Sequence, residues 1–280
     1  MLAVVCYGGV LGKVVMMDFD ISAWGYVALV VGGVAAGIIN TLAGNGSAIT
    51  LSIMLFLGLP AGWANATNRI GVVFQTITAV VSVRKMRGAT QLFKETRFLF
   101  WPSILGSAIG AWLAGRIEDN GLVYFIGFIM ILLLATLFLN PKRWSLETDR
   151  SKKKKTNLLA FLFFLIGLYA GFIQMGIGIM MLAALVLYSR YSLVDANIVK
   201  LQMALIFGIP SFFVFLFSGK MHWPSGIALA FGQSLGAWIS GRYLLSHPSA
   251  GKWIRILLII ILSVAILSIF GIFDFLSKLF

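Results

Sequence analysis

The chain has little charge for its length. Only 11% of its 280 residues are charged, whereas 60% are hydrophobic, and the mean hydropathy is +0.98. A soluble domain could not solvate such a surface, but lipid requires no polar coat. The composition therefore excludes a soluble protein and predicts an all-α, polytopic membrane protein.

The residues that carry most enzyme and metal chemistry are scarce as well. One cysteine, Cys6, excludes an internal disulfide framework and a multi-cysteine metal site. None of the nine carboxylates lies inside an apolar segment, so we expect no embedded proton relay. His222 and His247 fall between apolar segments, where we expect them to be solvated. Because no metal-ligand spacing and no Walker-type loop occurs, we expect no metal, no cofactor and no enzymatic activity.

The net charge of +13 is the one feature that suggests nucleic acid, and its distribution argues against that partner. Four gaps between apolar segments hold 17 of the 22 lysines and arginines, namely 84–98, 140–157, 189–200 and 242–255. Short basic gaps are typical of cytoplasmic loops. We therefore expect a multi-pass protein of the inner membrane, with the lipid bilayer as partner and no nucleic acid.

Ten apolar segments lie at about 23–39, 46–58, 68–83, 99–115, 121–139, 158–173, 176–188, 201–217, 225–241 and 253–273. A spanning helix needs about 20 apolar residues. Several segments are shorter, which predicts about eight to ten helical segments with broken or re-entrant opening helices. The predicted parts are an N-terminal extension (1–22), a first transmembrane repeat (23–139), a basic cytoplasmic linker (140–157) and a second repeat (158–273). Residues 1–16 are too short and too interrupted to span, and translation starting at Met16 or Met17 is one interpretation.

The two halves share a specific motif. Residues 106–116 and 232–242 both follow the pattern G-x-x-h-G-A-W-h-x-G-R, in which h is hydrophobic. A weaker match aligns 33–40 with 167–174, which indicates an internal duplication of the kind common in transporters. If the four basic gaps share the cytoplasmic face, the second repeat is inverted relative to the first. We expect Gly106, Gly110 and Gly115 to be close-packing positions, and Arg116 and Arg242 to be structural cations at helix ends.

The most informative polar stretch is Asn40-Thr-Leu-Ala-Gly-Asn-Gly-Ser47, which lies between two short apolar segments. Irregular backbone at membrane depth is tolerated where it lines a cavity, and a helix beginning at Ser47 would present free N–H groups to an anion. The alternative is a simple turn with a capping serine. We predict substrate contacts from this stretch and from its second-half counterpart, namely Asn40, Gly44, Asn45, Gly46, Ser47, Gln174, Gly176 and Gly178.

A second polar cluster precedes the third segment. It contains Asn65, Asn68 and Arg69, and Gln75 and Thr76 follow two turns later. Arginine binds sulfonates, sulfate and carboxylates through paired N–H bonds, although Arg69 snorkelling to the headgroups is an equal alternative. The second-half counterparts are Asn197, Lys200 and Gln202, of which Lys200 could instead mark the cytoplasmic boundary. We include Asn65, Asn68, Arg69 and Gln202 in the predicted site.

Two repeats, glycine-broken openings and an A-x-x-T/N approach to the third segment resemble the sulfite exporter TauE/SafE family over about residues 23–273. The resemblance implies a permease for sulfite, sulfonates and related organosulfur anions. It places the glycine-rich openings at Gly37, Gly44, Gly46, Gly171, Gly176 and Gly178. The chain departs from the family's G-x-G-G-G pattern, since it reads Gly-Asn-Gly-Ser at 44–47 and Gly-Ile-Gly-Ile at 176–179.

Together these features predict a secondary transporter or permease for a small anion, working as an exporter. A Na⁺-coupled importer of a small organic anion is the alternative within transport. A membrane enzyme or an assembly factor is the alternative outside transport. The expected partner is the anionic substrate, and a homodimer is left open as the functional unit.

Overall fold

A computed structural model describes residues 19–84, 86, 88–138 and 156–244, together with five positions between 259 and 267. Most of the predicted N-terminal extension, most of the linker 140–157 and most of the last apolar segment lie outside the described residues. The same is true of His247 and of the alternative start at Met16 or Met17.

Within the described part of the chain, the regular structure is entirely helical. The first half contains α1 (Ala23–Leu42), α2 (Ser47–Phe56), α3 (Ala61–Val83), α4 (Ala89–Glu95), α5 (Phe100–Ala114) and α6 (Asp119–Phe138). The second half contains α7 (Asn157–Phe172), α8 (Ile177–Leu182), α9 (Leu193–Phe217) and α10 (Trp223–Ile239). A π-helical segment, Ala183–Tyr188, extends α8, and another, Ser240–Leu244, extends α10. The all-α prediction is confirmed.

Three of these helices are long and apolar enough to cross a membrane, and they are α1, α3 and α9. Helix α6 has 20 residues, as α1 does, and the remaining helices are shorter. The opening helices α1 and α7 begin in the same way, because the hydroxyl of Ser22 accepts from the Gly25 N–H and that of Thr156 from the Leu159 N–H. Such N-caps satisfy donors that a helix start leaves free.

Helices α3 and α9 begin well before the apolar segments that predicted them. The predicted starts are residues 68 and 201, whereas the helices start at Ala61 and Leu193. Their first turns carry polar side chains that lower the hydropathy, and most of these side chains, such as Asn65, Asn68 and Lys200, are buried. A hydropathy reading therefore counted two helical turns as loop in both halves.

Two further expectations change in the structure. The gap 84–98, which we expected to be a loop, contains the short helix α4, and this helix buries Ala89 and Leu92. His222 is only 5% exposed, because its backbone N–H donates to Thr67 and its Nδ1 lies 2.8 Å from the Ser225 hydroxyl. The expectation that His222 is solvated is wrong.

Each half packs its opening helix against the helix of the other half that carries the repeated motif. Helix α1 lies on α10, and α7 lies on α5. A methyl group on Gly232 or Gly236 would overlap the carbonyl oxygen of Val30 or Val34 in α1. One on Gly106 or Gly110 would likewise overlap the carbonyl of Phe164 or Leu168 in α7. Glycine thus permits both crossings, as in tightly packed membrane helices.

The repeated motif ends in the same contact twice. The guanidinium of Arg116 lies 3.7 Å from the centre of the Trp112 ring, and that of Arg242 lies 5.7 Å from Trp238. Both arginines are exposed. Gly115, in contrast, meets only its own helix at 3.6 Å, so the close-packing prediction is confirmed for Gly106 and Gly110 and wrong for Gly115. These matched contacts support the duplication, and the inverted arrangement of the halves stays a prediction.

Candidate functional site

Each half contains a break between its first two helices. The first break is Ala43–Gly46, between α1 and α2, and the second is Ile173–Gly176, between α7 and α8. Gly44 has a φ of 80° and Gly176 a φ of 75°, a backbone region that glycine adopts at little cost. Helix α2 begins at Ser47, as the sequence predicts.

The two breaks touch one another. A methyl group on Gly44 would overlap the backbone of Gly178, and one on Gly178 would overlap the backbone of Gly44. Backbone from both halves therefore meets without an intervening side chain. The contact brings together the two stretches from which we predict substrate contacts.

A narrow cleft of about 20 Å³ opens beside this meeting point. Its polar lining residues are Asn40, Ser47, Gln75, Thr76, Gln174 and Lys200, and its remaining lining residues are Gly44, Val72, Ile177, Gly178, Met181, Leu201 and Ala204. Lys200 is the one charged residue among them. The cleft thus combines a cation, neutral polar groups and an apolar wall.

The hydrogen bonds of Asn40 fix the orientation of a second amide in the cleft. Asn40 Oδ1 accepts from the Gly46 N–H at 2.6 Å, and Asn40 Nδ2 donates to Gln75 Oε1 at 2.8 Å. Because the oxygen of Gln75 already accepts this hydrogen bond, its NH₂ group is the end that can donate to a ligand. Gln75 thus contributes donors rather than an acceptor.

Gln174 is oriented in the same sense from the other half. Its Oε1 accepts a hydrogen bond from Arg69 Nη1 at 3.1 Å, so its NH₂ group is the end that can donate to a ligand. Ser47 is 1% exposed, and its hydroxyl has no hydrogen-bond partner among the described residues. The cleft is therefore lined by groups that donate hydrogen bonds.

Arg69 is completely buried behind the second break. Its Nη1 donates to the carbonyl of Ala170, and its Nη2 donates to those of Gly171 and Phe172, at 2.6 to 3.3 Å. These are the last carbonyls of α7, which a helix end leaves without internal partners. Arg69 is thus a cap on α7, and the snorkelling alternative is wrong because none of its surface is exposed.

Lys200 occupies the corresponding place behind the first break. Its Nζ donates to the carbonyls of Thr41 and Leu42 at 3.0 and 3.2 Å and to Asn197 Oδ1 at 2.8 Å. Lys200 is 1% exposed and lies two turns inside α9, so it is a buried helix cap. Each half therefore supplies a cation that caps the opening helix of the other half.

Comparisons with known proteins agree with this architecture. Residues 29–269 match the model of the sulfite exporter TauE/SafE family, which is most of the chain. The chain belongs to this family.

Curated relatives of this TauE/SafE protein are named as transporters. A probable membrane transporter protein of Sinorhizobium is 29% identical over 245 residues, covering 88% of this chain and 90% of the relative. The probable membrane transporter protein YfcA of Escherichia coli is 25% identical over 230 residues, covering 82% and 83%. No solved structure matches the chain significantly. The protein is thus a TauE/SafE membrane transporter.

The structure separates the twelve predicted site residues of this TauE/SafE protein into two groups. Five of them line the cleft, namely Asn40, Gly44, Ser47, Gln174 and Gly178. The others lie outside the lining. Gly46 donates to Asn40, and Gly176 forms the left-handed turn before α8.

The remaining predicted residues face other helices. Asn65 Nδ2 donates to the Phe172 carbonyl, and Asn65 Oδ1 accepts from Arg69. Asn68 Oδ1 accepts from the Thr50 hydroxyl at 2.7 Å. Gln202 donates to the Ala89 carbonyl, on the side of α9 that faces α4. Asn45 is 1% exposed, and its Oδ1 has no partner among the described residues.

Sequence reasoning left Gln75, Thr76 and Lys200 out of the predicted site, although all three line the cleft. The duplication offered a signal for Lys200. Asn65 precedes Arg69 by four residues, and Asn197 precedes Lys200 by three, in the third helix of each half. Among the described residues, no cluster of His, Cys, Asp and Glu could hold a metal ion.

Proposed function

We propose that this transporter carries a small oxyanion of sulfur, such as sulfite, or an organosulfonate, outward across the inner membrane. The observation that supports this proposal is the chemistry of the cleft lining. It contains one cation, two amides whose NH₂ ends are free to donate, a hydroxyl without a partner among the described residues, and no carboxylate. Such a set complements a ligand that has a negative charge and several acceptor oxygens.

The cleft is too narrow for a large substrate. Its volume of about 20 Å³ is room for about one water molecule, so the lining side chains must move apart to admit even a small anion. The apolar wall formed by Val72, Met181 and Leu201 could accommodate the short carbon chain of an organosulfonate.

The membrane potential supports export without a coupling ion. A monovalent anion that leaves an inside-negative cell gains ~2.3 kcal/mol per 100 mV, or about fiftyfold in concentration. None of the Asp and Glu residues that the structure describes lines the cleft, so the lining offers no acidic proton carrier.

The test is flux through the full-length protein in proteoliposomes loaded with sulfite, with a potassium diffusion potential of either sign. We expect efflux to accelerate when the lumen is negative and to be unaffected by replacing Na⁺ with choline. Flux that requires Na⁺ would favour the importer instead. Absence of flux for sulfite, taurine, sulfoacetate and sulfate from a well-folded sample would remove the proposal, and chemical turnover without flux would identify an enzyme.

A further inference from the structure

Two cations are buried in this protein without a carboxylate partner in the described ranges. Arg69 is 0% exposed and Lys200 is 1% exposed, and neither forms a salt bridge with a described residue. A buried charge is costly unless other groups compensate it. Each of the two charges must therefore be balanced by the groups around it.

The terminal nitrogens of Arg69 are balanced by the protein itself, whereas its Nε has no hydrogen-bond partner among the described residues. Its two terminal nitrogens together donate to five oxygens, which belong to Asn65, Ala170, Gly171, Phe172 and Gln174. Its guanidinium also lies 5.0 Å from the centre of the Phe215 ring. Arg69 does not line the cleft, so a bound anion would reach it only through Gln174.

Lys200 has one acceptor for each of its three N–H groups, and its position is different. Its ammonium has three neutral acceptors, of which two are carbonyls at the end of α1. It lines the same cleft as the free hydroxyl of Ser47 and the donor ends of Gln75 and Gln174. A compact ammonium can exchange one neutral acceptor for an anion by a small rotation of its N–H groups.

We infer that Lys200 contacts the transported anion directly, and that Arg69 is a positioning residue that caps α7 and orients Gln174. The inference rests on the proposed function, because it assigns the charge of the substrate to one of two related cations. An anion bound to Lys200 would replace one of its three neutral acceptors. The other two bonds would still tie the ammonium to its neighbours.

The matched variants are Lys200→Met and Arg69→Met, which remove the charge and keep an unbranched side chain. For each full-length variant, the midpoint of thermal unfolding is measured with and without sulfite at constant ionic strength, and KM and kcat for sulfite are measured in proteoliposomes. For Lys200→Met we expect no stabilisation by sulfite and a KM raised at least about tenfold, because a charged hydrogen bond is lost. For Arg69→Met we expect a lower midpoint without ligand, while sulfite still stabilises the protein.

Two charge-conserving variants keep the inference testable if a Met variant does not fold. Lys200→Arg should retain stabilisation by sulfite, and Arg69→Lys should retain both folding and a near-normal KM. A folded Lys200→Met protein with the wild-type KM would overturn the inference while the proposed function stands. Wild-type protein that neither binds nor moves sulfite, taurine, sulfoacetate or sulfate would remove the proposed function, and the inference with it.

Discussion

The two helix breaks have the same backbone design and different side chains. Each break has a glycine at positive φ, and each is capped by a cation from the third helix of the other half. The first break adds Asn40, Asn45 and Ser47, whereas the second has Gln174 followed by apolar residues. The features that the two breaks share thus form the frame of the site, and the side chains that differ supply its polar lining. We expect matching substitutions in the frame to lower stability by similar amounts in the two halves. We expect substitutions in the lining to change transport.

The largest effect is expected where the two breaks touch. Gly44→Ala would force a methyl group into the backbone of Gly178 and would strain a residue at positive φ. Gly58→Ala is the matched control, since Gly58 has a φ of 84° and nothing lies within 4 Å of an added methyl group. We expect the control to lose about 1 kcal/mol from the backbone alone, and Gly44→Ala to lose at least about 2 kcal/mol more from the overlap.

The measurement is thermal unfolding of both purified variants, together with Gly178→Ala. Gly178 has no positive φ, so its variant isolates the overlap with Gly44. Equal midpoints for Gly44→Ala and Gly58→Ala would mean that the breaks can separate, and would contradict the direct backbone contact.

A smaller and symmetric effect is expected at the two helix crossings. Gly110→Ala would overlap the Leu168 carbonyl and Gly236→Ala the Val34 carbonyl, so each should cost about 1–3 kcal/mol of stability. Gly115→Ala, in the same repeated motif, should cost less than about 0.5 kcal/mol, since its nearest neighbours are 3.6 Å away.

Thermal unfolding of these three variants compares the halves directly. Similar losses for Gly110→Ala and Gly236→Ala would support equivalent crossings. A large loss at one crossing only would show that the halves depend differently on this contact, and would break the equivalence.

Much of the fold could be predicted from the sequence because apolar runs carry the signal. The predicted segments 99–115 and 158–173 agree with α5 and α7 to within one residue at each end. The starts of α3 and α9 could not be predicted in this way, because their first turns are polar. Asn65 and Arg69 are helical and buried since the end of α7 supplies their partners, and hydropathy does not record partners.

The site was harder to predict than the fold, since its polar groups are defined by distant contacts. The two breaks could be predicted from their glycines and polar residues. Only the match to Arg69 in the duplication pointed to Lys200, because the carbonyls that it caps lie almost 160 residues earlier in the chain. Arg69 seemed the better anion ligand on its charge alone, and only its five acceptors explain why it lies behind the site.

The smallest effect is expected from single neutral donors in the cleft, and it distinguishes lining residues from their neighbours. Gln75→Leu and Gln174→Leu each remove one oriented amide, from opposite halves, and should raise the KM for sulfite about three- to tenfold. Gln202→Leu is the control, because Gln202 is on the next position after a lining residue but donates to the Ala89 carbonyl instead. Its KM should equal that of the wild type. If Gln202→Leu raised the KM while Gln75→Leu did not, the anion path would lie on the α4 side of α9 and the cleft would not be the site.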